Sequence, residues 1–346
     1  MDLLLQQILL AILYKLNNER TVNAAYHLLR GKRSGQTIQD VGMFKLYPYF
    51  GMLRKLPRQK FEQEVEQLLQ DNFMTVDEKG YFTLTEMGEQ LAKELQLPYF
   101  DGWHYRGNEH IFFARLSLIV QSLSNQTAGV RAFIPTQRNE QIQAWCRHFL
   151  RHTKYQSNPI QQPLYEEIVA SLQQSSTTTL QKTLLMSRLT GVGVAGVPWQ
   201  QLSFQYEMSE IDCQLQFVSA LHRWLDVITS SPQQYRYLVK LAENIRVDNV
   251  LTGSAYQTAQ LYYQGHSIEQ ICMLRNLKKS TIEDHIVELA MNEPSFDITP
   301  FVTCEDQQLV HTAVEDYATR KLRVLHEVLP HLTYFQIRLA LAKGEV

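Results

Sequence analysis

The chain has 346 residues, of which 45% are hydrophobic and 20% charged, a composition that excludes wholesale disorder and predicts two or three domains. Lys and Arg number 33 against 35 Asp and Glu, and the resulting net charge of −2 excludes nucleic-acid binding by bulk charge alone. The four cysteines, Cys146, Cys213, Cys272 and Cys304, are widely separated with no C-x-x-C, so they signal neither a zinc ribbon nor a disulfide framework and fit a reducing, cytoplasmic location.

The chain opens on an apolar run, Leu3–Leu16, interrupted by Gln6, Gln7 and Lys15 and shorter than the ~20 residues of a membrane span. Asp2 stands where a signal peptide carries positive charge, and no small-residue cleavage site follows. The run predicts an amphipathic helix buried against the body of the protein or against a partner.

Charge is then unevenly distributed. From Arg20 to Lys60 there are nine basic residues (Arg20, Arg30, Lys32, Arg33, Lys45, Arg54, Lys55, Arg58, Lys60) and one acid, Asp40, a local charge of +8. From Phe61 to Asp101 ten acids face two lysines, a local charge of −8. Such blocks predict a phosphate-facing or protein-facing surface, or two halves that neutralise each other across one fold. Within them, Thr21–Leu29 has helical spacing and stops at Gly31, Thr37 is placed to cap a helix running to about Leu46, and Pro57 to open a third. Phe73–Val76, the turn Asp77-Glu78-Lys79-Gly80 and Tyr81–Leu84 read as a hairpin, and Thr85 caps the next helix. Three helices and a hairpin in this order form a winged-helix pattern. Its third helix, the usual groove reader, carries Glu62, Glu64 and Glu66, which oppose phosphate. If this domain meets DNA, the basic segment before Pro57 or the wing is a better contact than that helix, and Arg30, Lys32, Arg33, Arg54, Lys55, Arg58 and Lys60 are the candidate DNA-binding residues.

A middle region follows from Tyr99, with helices expected over Ile111–Leu123, Gln141–His152 and Leu164–Leu172 and an exposed polar connection over Gln173–Thr179. His148 and His152 share a helical face, but the remaining ligands of a metal site are not signalled, so no metal is expected. Gly191-Val192-Gly193-Val194-Ala195-Gly196 matches G-x-G-x-x-G literally. The stretch before it, Leu180–Leu189, reads as helix rather than strand, so a helix–helix connection is expected in place of a nucleotide-binding loop. No G-K-[ST] follows a glycine-rich loop and no G-x-S-x-G occurs, which points away from an enzyme and from a bound cofactor.

The strongest local signal is at 254–292. A helix Ala255–Tyr263 ends at Gly265; Ser267 caps Ile268–Arg275; Asn276 permits a tight turn anchored by Leu277; Ser280 is placed to cap Thr281–Ala290, whose Ile282, Ile286 and Leu289 face inward. This is a helix-turn-helix. Lys278 and Lys279 suit phosphates, Ser280 beside them is a further candidate DNA contact, and Thr281 and His285 are placed to touch base edges, while Glu283 and Asp284 oppose this; the same shape also packs against proteins. Trp199–Met208 can be laid on Ile268–Leu277, with Leu202 on Ile271, Met208 on Leu277, Cys213 on Ile282 and Phe217 on Ile286, which predicts a degenerate upstream copy.

The segment TAQLYYQGHSIEQICMLRNLKKSTIEDHIVELAMNE, with the tail LRVLHEVLPHLTYFQIRLALAKG, resembles the helicase helix-turn-helix domain appended to some RecQ-type DNA helicases and found at the end of the YpbB-like proteins of low-GC Gram-positive bacteria. HLLRGKRSGQTIQDVGMFKLYPYFG and LLMSRLTG look YpbB-like too, and the LRG…LTEMG pattern is similar to the winged-helix domain that follows the RecQ helicase core. The resemblance implies a non-enzymatic accessory subunit that supplies DNA-binding or docking modules in trans to a RecQ-like DNA helicase, in DNA replication, recombination or repair. Its DNA binding would be structure-selective, and its location cytoplasmic and nucleoid-associated. The amphipathic Leu3–Leu16 helix and the tail Tyr334–Leu339, with Tyr334, Phe335 and Arg338, are candidate docking surfaces or core. The expected fold is mainly α, with a winged-helix-like domain at 1–98, helical regions at 99–179 and 180–250, and a helix-turn-helix domain at 251–346. A stand-alone helix-turn-helix transcription regulator reading a palindrome is the alternative.

Overall fold

The computed structural model describes residues 3–153, 159–248 and 251–343. Asp2 and the boundary drawn at 250 fall outside the described residues. The described chain is helical apart from one hairpin. It runs α1 (Leu4–Leu16), α2 (Asn23–Leu29), α3 (Gly35–Met43), α4 (Arg58–Gln70), β1 (Met74–Val76), β2 (Phe82–Leu84) and α5 (Glu86–Glu94), as the winged-helix pattern requires. There follow α6 (Gly102–Tyr105), α7 (Glu109–Thr127), α8 (Glu140–His152), α9 (Gln161–Gln174), α10 (Thr179–Ser187), α11 (Trp199–Gln205), α12 (Glu210–Ser230) and α13 (Arg236–Leu241). The C-terminal set is α14 (Gly253–Tyr263), α15 (Ile268–Arg275), α16 (Lys279–Asn292), α17 (Cys304–Tyr317), α18 (Leu322–Val328) and α19 (Tyr334–Lys343). Among the described residues, no helix is long and apolar enough to cross a membrane.

The chain forms two compact units, each drawn from two stretches of sequence. One consists of Met1–Ile8 with Gln96–Val247, the other of Leu9–Leu95 with Asp248–Val346. The winged-helix region and the C-terminal helix-turn-helix region therefore share one unit.

In the first unit, α7, α8, α9, α12 and α13 close around Phe112, Leu116, Phe217, Leu221 and Trp224. Trp224 Nε1 donates to Ser171 Oγ at 2.8 Å, which satisfies the one polar atom of a fully buried indole. Glu167 receives the Tyr237 and Leu238 backbone N–H groups, the free donors at the start of α13, at 2.9 and 3.0 Å. Gln173, Gln174, Ser176, Thr178 and Thr179 of the Gln173–Thr179 connection are exposed, as expected. Ser175 and Thr177 are buried and their hydroxyls share a 2.8 Å hydrogen bond, because the chain must turn tightly into the Thr178–Gln181 capping box of α10.

In the second unit, the hairpin pairs Met74 with Leu84, Thr75 with Thr83 and Val76 with Phe82. Thr85 caps α5 through Gly88 N as expected. Gly88 is required there: a Cβ would stand 2.0 Å from the Phe73 carbonyl oxygen. Thr37 is not the cap of α3. Ser34 has the extended backbone and accepts from Thr37 N, so the helix starts one turn earlier. The opening run folds as its apolar spacing implies. Leu9, Leu10, Ile12 and Leu13 are fully buried, each worth about 1.5–3 kcal/mol, so α1 is core rather than a free docking face.

Candidate nucleic-acid interface

The helix-turn-helix is built by local chemistry. Ser267 Oγ accepts from Gln270 N while the Gln270 side chain accepts from Ser267 N at 2.9 Å, a reciprocal cap that starts α15. Asn276 ends α15 at φ 50°, and Leu277 N donates back to Cys272 O at 3.1 Å. Lys278 then takes an extended conformation and α16 begins at Lys279. Ser280 is thus inside the helix and does not cap it, because the chain has already turned helical one residue before.

The degenerate copy has the same frame. Glu207 stands at φ 52° where Asn276 stands at 50°, and Met208 N donates to Ser203 O as Leu277 N does to Cys272 O. Leu202 N to Pro198 O and Cys213 N to Ser209 O repeat Ile271 N to Ser267 O and Ile282 N to Lys278 O. The apolar correspondences hold as well: Leu202, Cys213 and Phe217 are buried, as are Ile271, Ile282 and Ile286. The glycine-rich segment 191–196 connects α10 to α11, as a helix–helix connection should.

The surface of α16 is smaller than its sequence implies. Lys278, Lys279 and Ser280 are exposed, with Lys279 Nζ 3.2 Å from Glu269 Oε1, and Thr281 is half-buried. His285, expected at a base edge, is only 8% exposed, and its Nδ1 lies 2.9 Å from Thr258 Oγ1. Burial, then the neighbouring Arg275 guanidinium, pushes its pKa down to about 4, so it is neutral near pH 7 and turned away from any groove. Ile286–Ala290 are all buried. Asp284 does not oppose phosphate as a free charge: it accepts from Gln39 Nε2 of α3 at 3.0 Å and pairs with Arg338 of α19. With α3, α14 and α19 packed against it, α16 offers solvent little beyond its first turn.

Two of the three tail residues expected to meet a partner are likewise internal. Phe335 belongs to the core with Ile282, Ile286 and Leu339, and Arg338 is held by Asp284. Tyr334 is 47% exposed. The reason is periodicity. A helix that closes a core must bury a stripe, and the residues that make the tail conspicuous are that stripe.

A cluster of exposed cations lies between α2 and α4. Gly31, at φ +68°, approaches Gly51 so closely that a Cβ would stand 2.9 Å from Gly51 Cα, which sets Lys32 and Arg33 beside the turn carrying Arg54 and Lys55. Arg30 Nε donates to Arg54 O at 3.2 Å and Arg30 Nη1 to Tyr26 Oη at 3.1 Å. The guanidinium carbons of Arg30 and Arg58 both lie over the Tyr26 ring, 5.5 and 5.0 Å from its centre. His27 has its pKa lowered by partial burial and then by Lys32, Arg58 and Arg30, which shows these cations converging on one spot. Lys32, Arg33 and Lys55 are exposed and pair with no acid among the described residues. Arg58 has an exposed partner in Glu62 at 2.7 Å, and Lys60 is committed to the buried Glu64 at 2.5 Å. The hairpin turn adds nothing for phosphate, since Asp77 and Glu78 outnumber Lys79. Sequence reasoning missed Tyr26 and His27; the spacing of His27 and Arg30, three apart on one helical face, is the signal that would have found the latter.

Residues 3–97 match the family model of the RQC domain, the RecQ C-terminal domain, and residues 254–341 match that of a helix-turn-helix domain. Protein YpbB of Bacillus subtilis (strain 168) is 33% identical over 340 residues, covering 96% of this chain and 95% of that protein. The chain belongs to the YpbB family. No solved structure matches it. In this YpbB-family chain the RQC match covers α1 to α5 with the hairpin, and the helix-turn-helix match covers α14 to α19, so both matched domains lie almost wholly in the second unit. The matches make it a RecQ-helicase-related protein of DNA-binding type.

Proposed function

We propose that this YpbB-family protein is a non-enzymatic accessory factor that binds a RecQ-like DNA helicase and DNA in replication, recombination or repair. The observation that carries this reading is the joining of the RQC and helix-turn-helix regions into one unit, with α3 packed on α16 and α19 and Gln39 bonded to Asp284. These are regions of a helicase's binding apparatus, assembled around each other in a chain whose sequence holds no Walker-A loop. DNA is held by its phosphates at Arg30, Lys32, Arg33, Arg54, Lys55 and Arg58, with Lys278 and Lys279 at the start of α16 as a second contact. Contacts of this kind position a duplex without reading its sequence, so binding follows DNA structure. The regulator reading requires α16 to enter a groove, and burial from His285 onward gives it no support.

Two titrations test the reading. Calorimetry with the RecQ-like helicase of the same host, without DNA, should show saturable binding at a defined stoichiometry. The triple variant Lys32→Ala, Arg33→Ala, Arg54→Ala should weaken DNA binding and reduce the slope of log K against log salt by about one unit per lost contact. No heat with the helicase would sink the accessory role. An unchanged salt slope would move the DNA elsewhere.

A further inference from the structure

The first unit has a large apolar groove of about 850 Å³, walled by α7, α9 and α10 and bounded by the 191–194 turn. Val120, Leu123, Ser124 and Thr127 of α7 line it at helical spacing, as do Leu164, Ile168 and Leu172 of α9. Three helices thus present apolar stripes to a position that no element among the described residues fills, which is the geometry of a bundle short of one member. From Gln161 to Leu172, α9 follows the groove for about 16 Å, the length of a three-turn helix. Tyr165 stands on its rim, 61% exposed. At the other side the turn is fastened down by Val192 N donating to Ser124 Oγ at 2.9 Å.

The polar groups are few and lie towards opposite ends. Gln161 Nε2 donates to Gln126 Oε1 at 3.1 Å, which leaves Gln161 Oε1 buried with no donor among the described residues. Beyond the end of α9, after the short 175–178 connection, Lys182 is the one charged side chain of the lining, and no carboxylate pairs with it among the described residues. A cation at one end suits the C-terminal carbonyls of an incoming helix and an acidic side chain in its last turn, which sets the helix N-terminus towards the Gln161 end.

We infer that this groove takes a three-turn amphipathic helix of the helicase partner, its N-terminus at Gln161 and an acidic last turn at Lys182. The inference rests on the accessory-factor reading for the identity of the partner, and on the groove alone for the shape and charge of what enters it. It moves the docking surface from the ends of the chain, where α1 and α19 are core, to the middle.

The test uses the full chain and two surface variants, Tyr165→Glu and Lys182→Glu, checked for folding by circular dichroism. A fluorescein-labelled amphipathic peptide with leucines at i, i+4, i+7 and i+11 and two C-terminal glutamates is titrated by anisotropy. It should bind the native chain and lose about tenfold with either variant, and moving its glutamates to the N-terminus should cost about as much. No binding to the native chain, or equal binding to all three proteins, overturns the groove as a helix site. The same proteins are then titrated with the RecQ-like helicase. Loss of about tenfold in both variants supports the helicase as the source of the helix. Undiminished helicase binding by the variants overturns that source while leaving the accessory role intact. A helicase that fails to bind the native chain overturns the accessory role and the source together, and the peptide result still decides the groove.

Discussion

The two helix-turn-helix frames of this chain, α14 to α16 and α10 to α12, share a turn and differ in what they do with it. The left-handed residue, the hydrogen bond back across the turn and the three inward apolar positions recur. The entrance to the second helix does not. In the C-terminal copy it is Lys278-Lys279, exposed and cationic. In the upstream copy it is Ser209-Glu210, and the following Asp212 is buried, with its Oδ1 accepting the Leu5 backbone N–H at 3.0 Å. Leu5 belongs to the first turn of α1, whose N–H groups have no acceptor of their own. The upstream frame has turned its helix start inward to hold another helix, while the C-terminal frame keeps a cationic first turn in solvent. Backbone geometry and three apolar contacts suffice to preserve the frame; the surface it presents changes freely around them.

The largest expected effect tests whether both frames depend equally on their inward positions. Ile286→Ala and Phe217→Ala each remove a buried anchor at the corresponding place and should destabilise by about 2–5 kcal/mol, read from urea unfolding. A loss below about 1 kcal/mol in only one of them would show that the correspondence is one of shape without shared energetics.

Acid should separate the frames next. His285 ordinarily titrates near 6.5 and is held here at about 4, so between these values the unfolded chain takes up a proton that the folded chain refuses. Stability should be highest above pH 6.5 and decline by about 1–3 kcal/mol as the pH falls towards 4. Because the position corresponding to His285 in the upstream frame is Gln216, only the C-terminal frame carries this dependence. His285→Gln should flatten this part of the stability profile, and an unflattened profile would assign it to other groups.

Asp212→Ala should cost about 1–3 kcal/mol by leaving the Leu5 N–H without its acceptor. Circular dichroism during thermal unfolding measures this, and a neutral result would show that water serves the N–H as well. Smallest is the turn itself. Glu207 holds a left-handed conformation that suits Asn or Gly better, so Glu207→Asn should stabilise by about 0.5–1 kcal/mol, whereas Asn276→Ala should destabilise by a similar amount. Equal and opposite shifts in the melting temperature would confirm that the two turns are the same device.

Much of this was legible in the chain itself. The caps at Ser267 and Thr85, the left-handed Asn276, the hairpin between Met74 and Leu84 and the correspondence of the two frames are local matters, settled by side-chain chemistry within a few residues. The candidate site was less legible. The cations Arg30, Lys32, Arg33, Arg54 and Lys55 stand out in composition, but their meeting at Tyr26 and His27 depends on the close approach of Gly31 to Gly51, which no spacing rule reveals. Lys60, equal to them in sequence, is withdrawn by Glu64.

The sequence alone therefore determined most of the helical elements, the helix starts at Ser267 and Thr85, the hairpin and the family to which the chain belongs, because each depends on short-range periodicity or on a continuous run of matched residues. Only the tertiary structure decided which faces remain in solvent. His285, Phe335 and Arg338 carry chemistry suited to binding, and packing of α14 and α19 against α16 takes them inside, while the apolar stripes of α7, α9 and α10, which read as ordinary core, stay partly uncovered. Amphipathic spacing fixes which side of a helix is apolar. Whether that side meets its own chain or a partner is a property of the whole assembly of helices.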